Sequence, residues 1–237
     1  MYFLSSQKKI PLALFNAGFQ LFYILNPAAF VVTAGTFTVS SVEIVAAMIT
    51  PDQSYLQEIS NGLANGGTLK LPLQLYKSIT STLAPTPNQN IAINCGYLGS
   101  INTITLIEKT AALGPIKNGN DIQNFYILLD GQRYPLNKAI TTGVEAYYQT
   151  LAAYNTSLIS LTIPDASQSF AHYSFKTNQQ FSSGNSSANG LIEIAVDCTG
   201  SIPAAGSTIE TMISYDALLI VSRNSCSLVV DVKTNLI

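Results

Sequence analysis

The chain has no tryptophan, a single histidine (His172) and three cysteines, and only 10% of its 237 residues are charged. Each scarcity removes a class of chemistry. A zinc centre needs several His or paired Cys ligands, and one imidazole with no C-x-x-C pair does not supply them. His172 lies beside Tyr173 with neither a G-x-S-x-G elbow nor an H-E-x-x-H helix in the sequence, so it reads as a packed or surface imidazole. No catalytic, cofactor-binding or metal-binding residue is assigned, and the expectation is a protein that is not an enzyme. Eleven basic residues stand against thirteen acidic ones, with no basic run beyond Lys8-Lys9. Non-specific nucleic-acid binding requires clustered cations that displace counterions, so direct binding of nucleic acid is not expected. Cys95, Cys198 and Cys226 are widely spaced. An odd count leaves at least one unpaired in a monomer, and buried reduced thiols are the expected state.

What fills the space is polar but uncharged. Typical soluble domains carry roughly 25% charged residues, so Ser, Thr, Asn and Gln must cover much of this surface. Such a surface is weakly protected from association. It suits a protein packed against neighbours, and a secreted or adhesive β-sandwich shares the composition. No residue between Lys9 and Glu43 is charged, and the run after Lys8-Lys9 imitates a signal peptide or membrane anchor. Asn16, Gly18, Gln20 and Asn26-Pro27 interrupt it before the ~20 apolar residues that a spanning helix needs. A strand over 19–25 is the expectation instead.

In chain order, residues 36–49 read as a long strand with a bulge near Ser40-Ser41, where the alternation slips. Thr50-Pro51-Asp52-Gln53 has the pattern of a helix start. Leu56, Ile59 and Leu63 follow at helical spacing, and Asn65-Gly66-Gly67 ends it. The GLANGG run of 62–67 lacks the Lys-Ser/Thr of a phosphate loop and is read as the helix C-cap. Strands are expected over 69–83, with Pro72 favouring a sheet edge or bulge, at Ile91, Ile93 and Cys95, and over 101–107, 158–163, 170–175, 191–196, 209–221 and 228–232. Gly96 and Gly99 allow a bend. Residues 84–90, 108–121 and 182–190 are expected as loops, the last one exposed. On the 209–221 strand, Ile213, Tyr215, Ala217, Leu219 and Val221 share one face, and Arg223-Asn224-Ser225 turns the chain. Asn155 and Asn185 sit in N-x-S/T triplets of the kind that arise by chance in an Asn/Ser-rich chain.

Residues 122–154 hold the densest local signals. Phe125 to Leu129 is a strand, and Asp130-Gly131 supplies the positive φ angles of a two-residue hairpin turn. Gln132 to Leu136 pairs back until Pro135, which has no amide hydrogen, ends the ladder. Thr142 and Glu145 have capping-box spacing. Val144, Tyr147, Tyr148 and Leu151 lie along one side of a short helix that must dock on a sheet to be stable. The other acids, Glu43, Glu58, Glu108, Asp197 and Asp216, are dispersed, and most are expected to be surface, cap or turn residues. About eight to ten strands, two short helices in connections and no repeat favour an all-β, jelly-roll β-sandwich over an α/β fold. One domain is expected over 1–237: a leading segment 1–18, the jelly roll 19–232 and a tail 233–237.

Three regions resemble, in order, the second jelly roll of the double jelly-roll major capsid proteins of icosahedral DNA viruses. The first is a P-L-x-L-F-x-x-G-x-x-L lead-in at Pro11, Leu12, Leu14, Phe15, Gly18 and Leu21. A G-x-x-Y-P strand followed by an A-x-Y-x-x-L helix comes next, at Gly131, Tyr134, Pro135, Ala146, Tyr148 and Leu151. The third is a Y-D-A-L-L-x-V … L-x-V hairpin at Tyr215, Asp216, Ala217, Leu218, Leu219, Val221, Leu228 and Val230. The resemblance implies a virion protein that self-associates, as a trimeric capsomer in an icosahedral shell, with other capsid subunits as partners. Double-roll relatives are about twice this long, so a second jelly-roll half is a further implied partner; an internal membrane is left open. The alternative from another class is a jelly-roll binding module, such as a lectin or a receptor-binding spike domain. The absence of Trp and of a D-x-D-x-[DN] calcium run counts against it, while 12 tyrosines could serve a sugar site.

Overall fold

The structure, a computed structural model, describes residues 50–110, 114–115, 122–141, 144–153, 171–175, 181–200 and 202–232. The lead-in motif at 11–21 and the strands expected at 19–25, 36–49 and 158–163 lie outside the described residues. Helix α1 (Gln53–Ala64) precedes strands β1 (Leu69–Thr82), β2 (Asn88–Asn94), β3 (Leu98–Thr110), β4 (Gly114–Pro115), β5 (Asn124–Leu129), β6 (Gln132–Tyr134) and β7 (Ile140–Thr141). Helix α2 (Val144–Ala153) is followed by β8 (Ala171–Ser174), β9 (Asn185–Ser187), β10 (Leu191–Asp197), β11 (Thr208–Val221) and β12 (Cys226–Val229).

The described strands form two antiparallel sheets. One has seven strands, with β1, β11, β3 and β4 in order, β8 and β9 also on β3, and β12 on β11; the other has five, β2, β10, β5 and β6 in order, with β7 on β5. If β1, β2, β3, β5, β6, β8, β10 and β11 are taken as the principal strands, the first pairs with the last, the second with the seventh, the third with the sixth and the fourth with the fifth. That nested pairing, folded into two sheets, is a jelly roll. The expected fold class is therefore the observed one.

Alternation builds the core. Ile91 and Ile93 of β2, Phe125, Ile127 and Leu129 of β5, and Ile192, Ile194 and Val196 of β10 point inward. They meet Ile101, Ile104 and Leu106 of β3 and Ile209 and Ile213 of β11. Isoleucine dominates because its branched Cβ suits a pleated surface packed on one face, and each such burial is worth about 1.5–3 kcal/mol before entropy is counted. At one end an aromatic triad ties the sheets together: Phe175, just past β8, meets Tyr134 of β6 edge-on at 5.2 Å and Tyr173 at 4.7 Å.

Several local expectations need correction. The first helix starts at Gln53 with Asp52 as its N-cap, not at Thr50-Pro51, because Asp52 is extended at ψ 144° and makes no side-chain cap bond. Its end is as expected: Gly66 has φ +85°, and the Gly66 and Gly67 amides donate to the Leu63 and Gly62 carbonyls, a Schellman closure that needs glycine. Strand β2 begins at Asn88, inside the segment expected as loop, and β3 runs on through Glu108 to Thr110. The last strand is Cys226–Val229, two residues early, after which Gly99 donates to the Val230 carbonyl. Cys95 and Cys198 are buried as expected, but Cys226 is exposed, since it sits directly after the 223–225 turn. Pro72 lies opposite Leu218 in β1, which stands last in its sheet among the described strands.

The 182–190 segment is not an exposed loop. It carries β9, which pairs with β3 at Leu98 and Ile101, and Gly184 and Ser187 are buried. Small residues allow this approach: a Cβ at Gly184 would lie 2.1 Å from the Ile101 carbonyl oxygen. Asn185, the described sequon asparagine, is half-buried there. The Asp130-Gly131 turn has φ +51° and +83°, the signature of a type I′ hairpin. The ladder stops at Tyr134, before a cis Tyr134–Pro135 peptide. Glu145 reaches back one residue further than expected, accepting from the Thr141 amide at 2.9 Å and from its hydroxyl at 2.7 Å. It also pairs with Lys138, and that ammonium first, with the Thr141 amide and hydroxyl after it, holds the Glu145 carboxyl down at about 2. Val144 and Tyr148 remain exposed while Tyr147 and Leu151 are half-buried. The apolar stripe of α2 thus lies half on the protein and half in solvent.

Candidate functional site

Among the described residues, several side chains able to do chemistry hold strands together. His172 is 1% exposed on β8. Its Nδ1 shares a 2.8 Å hydrogen bond with the Thr105 hydroxyl of β3, its register partner, and burial lowers its pKa to about 4. Neutral at physiological pH and sealed from solvent, it is packed, one of the two placements, packed or surface, that the sequence leaves open. Among the described residues no group of three or more His, Cys, Asp or Glu side chains is placed to hold a metal ion.

The buried acids are the part that sequence reading missed. The sequence places Asp216 among dispersed acids, most of them expected in surface, cap or turn positions, yet it is 2% exposed in the middle of β11. It accepts from the Ser100 hydroxyl at 3.0 Å, the Asn102 amide nitrogen at 2.7 Å and the Ser182 backbone at 2.7 Å. The site sits where the β3–β11 register shifts: Ser214 faces Thr103 and Tyr215 faces Ile101, leaving Asn102 over. Asp216 therefore fixes a β-bulge and anchors the segment leading to β9. The signal was available, since an acid inside the apolar run ISYDALLIV must be paired if the strand is central. Glu108 is likewise buried on β3. Asp130, by contrast, is a turn residue as expected, and its carboxylate accepts from the Ala188 and Asn189 amides at 2.5 and 3.2 Å. Glu210 pairs with Lys109 and the Ser78 hydroxyl, in that order the causes of a lowered pKa.

The outer faces of the two sheets differ. On the seven-stranded sheet Thr103, Thr105, His172, Ser214 and Asp216 are polar yet buried, joined by bonds such as Thr103 to Ser214 at 2.7 Å. On the five-stranded sheet Asn88, Asn90, Ala92 and Asn94 of β2 are exposed. Across β10 and β5 the same face continues as Glu193, Ala195 and Asp197, then Asn124, Tyr126 and Leu128. A cleft of about 200 Å³ lies here, with Asn88, Asn90, Asn124, Tyr126, Ala195 and Asp197 around it. Ala195 sits between Asn90 and Tyr126 in register, so its missing bulk opens the floor. The Asp197 carboxylate accepts from the Thr199 hydroxyl and amide and from the Asn124 side chain at 2.8 Å. These bonds, Thr199's first, lower its pKa. Arg133 lies over the Tyr126 ring, 4.2 Å from its centroid.

No protein-family model and no curated protein matches the chain. Solved structures do. PBCV-1 VP54, a crystal structure fitted into a cryo-EM reconstruction of the virophage Sputnik, is 13% identical at a TM-score of 0.48, over 75% of this chain and 54% of that one. A quasi-atomic model of the PBCV-1 virus capsid is 11% identical at a TM-score of 0.44, over 68% and 51%. The 3.5 Å cryo-EM structure of the Sputnik virophage is 13% identical at a TM-score of 0.39, over 70% and 39%. The chain thus spans between 39% and 54% of the length of these three chains.

Proposed function

We propose that this protein is a structural subunit of a viral capsid, whose work is to associate with copies of itself and with other capsid subunits. The observation that carries the reading is the jelly-roll topology with two of the three resembling regions at its fixed points. Gly131 forms the hairpin turn, Tyr134 joins the two sheets, and Asp216 locks the bulge of the central strand. A rigid sandwich supplies a shape-stable brick. Its charge-poor surface can be buried between subunits with little desolvation cost.

The finer reading is a trimeric capsomer of an icosahedral shell, in which a second jelly roll, on this or another polypeptide, completes the unit. Analytical ultracentrifugation of the full chain over a rising concentration series, with negative-stain microscopy, tests it. Trimers or larger closed assemblies are the expected result. A monodisperse monomer at the highest concentration, unchanged when a second jelly roll from the same particle is added, overturns it.

A further inference from the structure

The cleft on the outer face of the five-stranded sheet has a composition that assembly alone does not require. Three side-chain amides (Asn88, Asn90, Asn124) and one carboxylate (Asp197) surround a small floor, Ala195, with the Tyr126 ring beside it. All six come from three adjacent strands in direct register, so their spacing is set by hydrogen-bonded backbone rather than by a loop. Asp197 is fixed both to Asn124 and to Thr199, accepting from each. Arg133 holds Tyr126 from the β6 side, opposite Ala195.

We propose that this cleft binds carbohydrate, taking a single pyranose ring at the end of a glycan. A sugar presents neighbouring hydroxyls that each donate and accept. Amides, which do both, and an acceptor-only carboxylate match that pattern. The C–H face of a pyranose needs a flat apolar partner, and a tyrosine ring pinned by a guanidinium offers one with little side-chain entropy left to lose. At about 200 Å³ the cleft lies below the ~300–1,000 Å³ that takes drug-sized ligands, which limits it to one ring. Phosphate-bearing ligands are disfavoured by the ionised Asp197, whose hydrogen bonds hold it below the ordinary carboxylate range. This inference goes beyond the capsid reading and fails separately from it: a chain that assembles but binds no sugar retains the first and loses the second.

The test is a glycan array probed with the full chain, followed by saturation-transfer NMR with free glucose, galactose, mannose and N-acetylglucosamine. Binding to glycans sharing one terminal ring is expected, with transfer to that monosaccharide. Ala195→Leu, which fills the floor, and Asn90→Ala, at an exposed position, should each weaken binding about tenfold or more. Asn90→Ala should do so at an unchanged melting temperature, which keeps the test decisive if Ala195→Leu perturbs folding. No array signal together with no transfer to any of the four sugars overturns the proposal. So does binding that survives Asn90→Ala and a correctly folded Ala195→Leu.

Discussion

Asp216 shows what a single buried side chain can hold in this sandwich. Three donors converge on it from the β3 bulge and from the segment before β9. Removing it strands those donors in a buried site, where each unsatisfied group costs about 1–3 kcal/mol. Asp216→Ala should therefore lower unfolding free energy by roughly 3 kcal/mol or more, read as a lower urea midpoint; a loss within the range of surface substitutions would show that the clamp is idle. His172 gives the second prediction at this scale. Its pKa is about 4 in the fold against 6.5 when free, so below pH 6.5 the unfolded chain binds the proton that the native one refuses. The stability this contributes is complete above the unfolded pKa and is lost progressively as pH falls from 6.5 to about 4, amounting to roughly 3 kcal/mol. His172→Gln, which cannot titrate, should flatten the dependence of melting temperature on pH across that window; a slope equal to the parent's would place the acid sensitivity elsewhere.

Among the elements, glycines separate backbone that must approach closely from backbone that merely turns. At Gly184 an added Cβ would meet the Ile101 carbonyl carbon at 2.6 Å and oxygen at 2.1 Å, neither of which can move without opening β3. Gly62, inside α1, has nothing within 4 Å of the same added atom. Gly184→Ala should cost about 2–4 kcal/mol by forcing β9 off β3. Gly62→Ala should add about 0.5–1 kcal/mol through helix propensity alone. Thermal denaturation of the two variants beside the parent checks both signs, and equal effects would refute the register between β9 and β3. The half-buried stripe of α2 belongs to this scale as well. Helical spacing puts Val144, Tyr147, Tyr148 and Leu151 on one side, but Val144 and Tyr148 stay in water, because periodicity says which residues are adjacent and not how much of that arc is covered.

At the scale of the whole molecule the sparse charge decides how association should respond to solution conditions. With 11 basic and 13 acidic residues in 237, few ion pairs are available at any contact, and exposed pairs are worth only about 0–1 kcal/mol each. If the chain self-associates as proposed, the association should persist between low salt and about 1 M salt, where the Debye length falls to ~3 Å. Sedimentation at the two ionic strengths measures this; dissociation at high salt would mean that a few charges, not broad uncharged contact, hold the subunits. Burial on both faces of β3 and β11 in the seven-stranded sheet, against a more open outer face on the five-stranded one, likewise exists only at this scale, since it depends on what lies over each sheet.

The amino-acid order by itself determined the all-β class, the Asp130-Gly131 hairpin, the glycine stop of α1, most of the described strand positions and the alternation of Ile91 and Ile93, because each depends on neighbours within a few residues. Tertiary structure alone decided that β9 would lie buried along β3, that Asp216 would sit at a bulge with three donors, and that Asn88, Asn124, Ala195 and Asp197 would share a cleft. Those outcomes depend on register between strands far apart in sequence. A one-residue slip in pairing would turn every such side chain to the opposite face, and nothing local in the chain records which register wins.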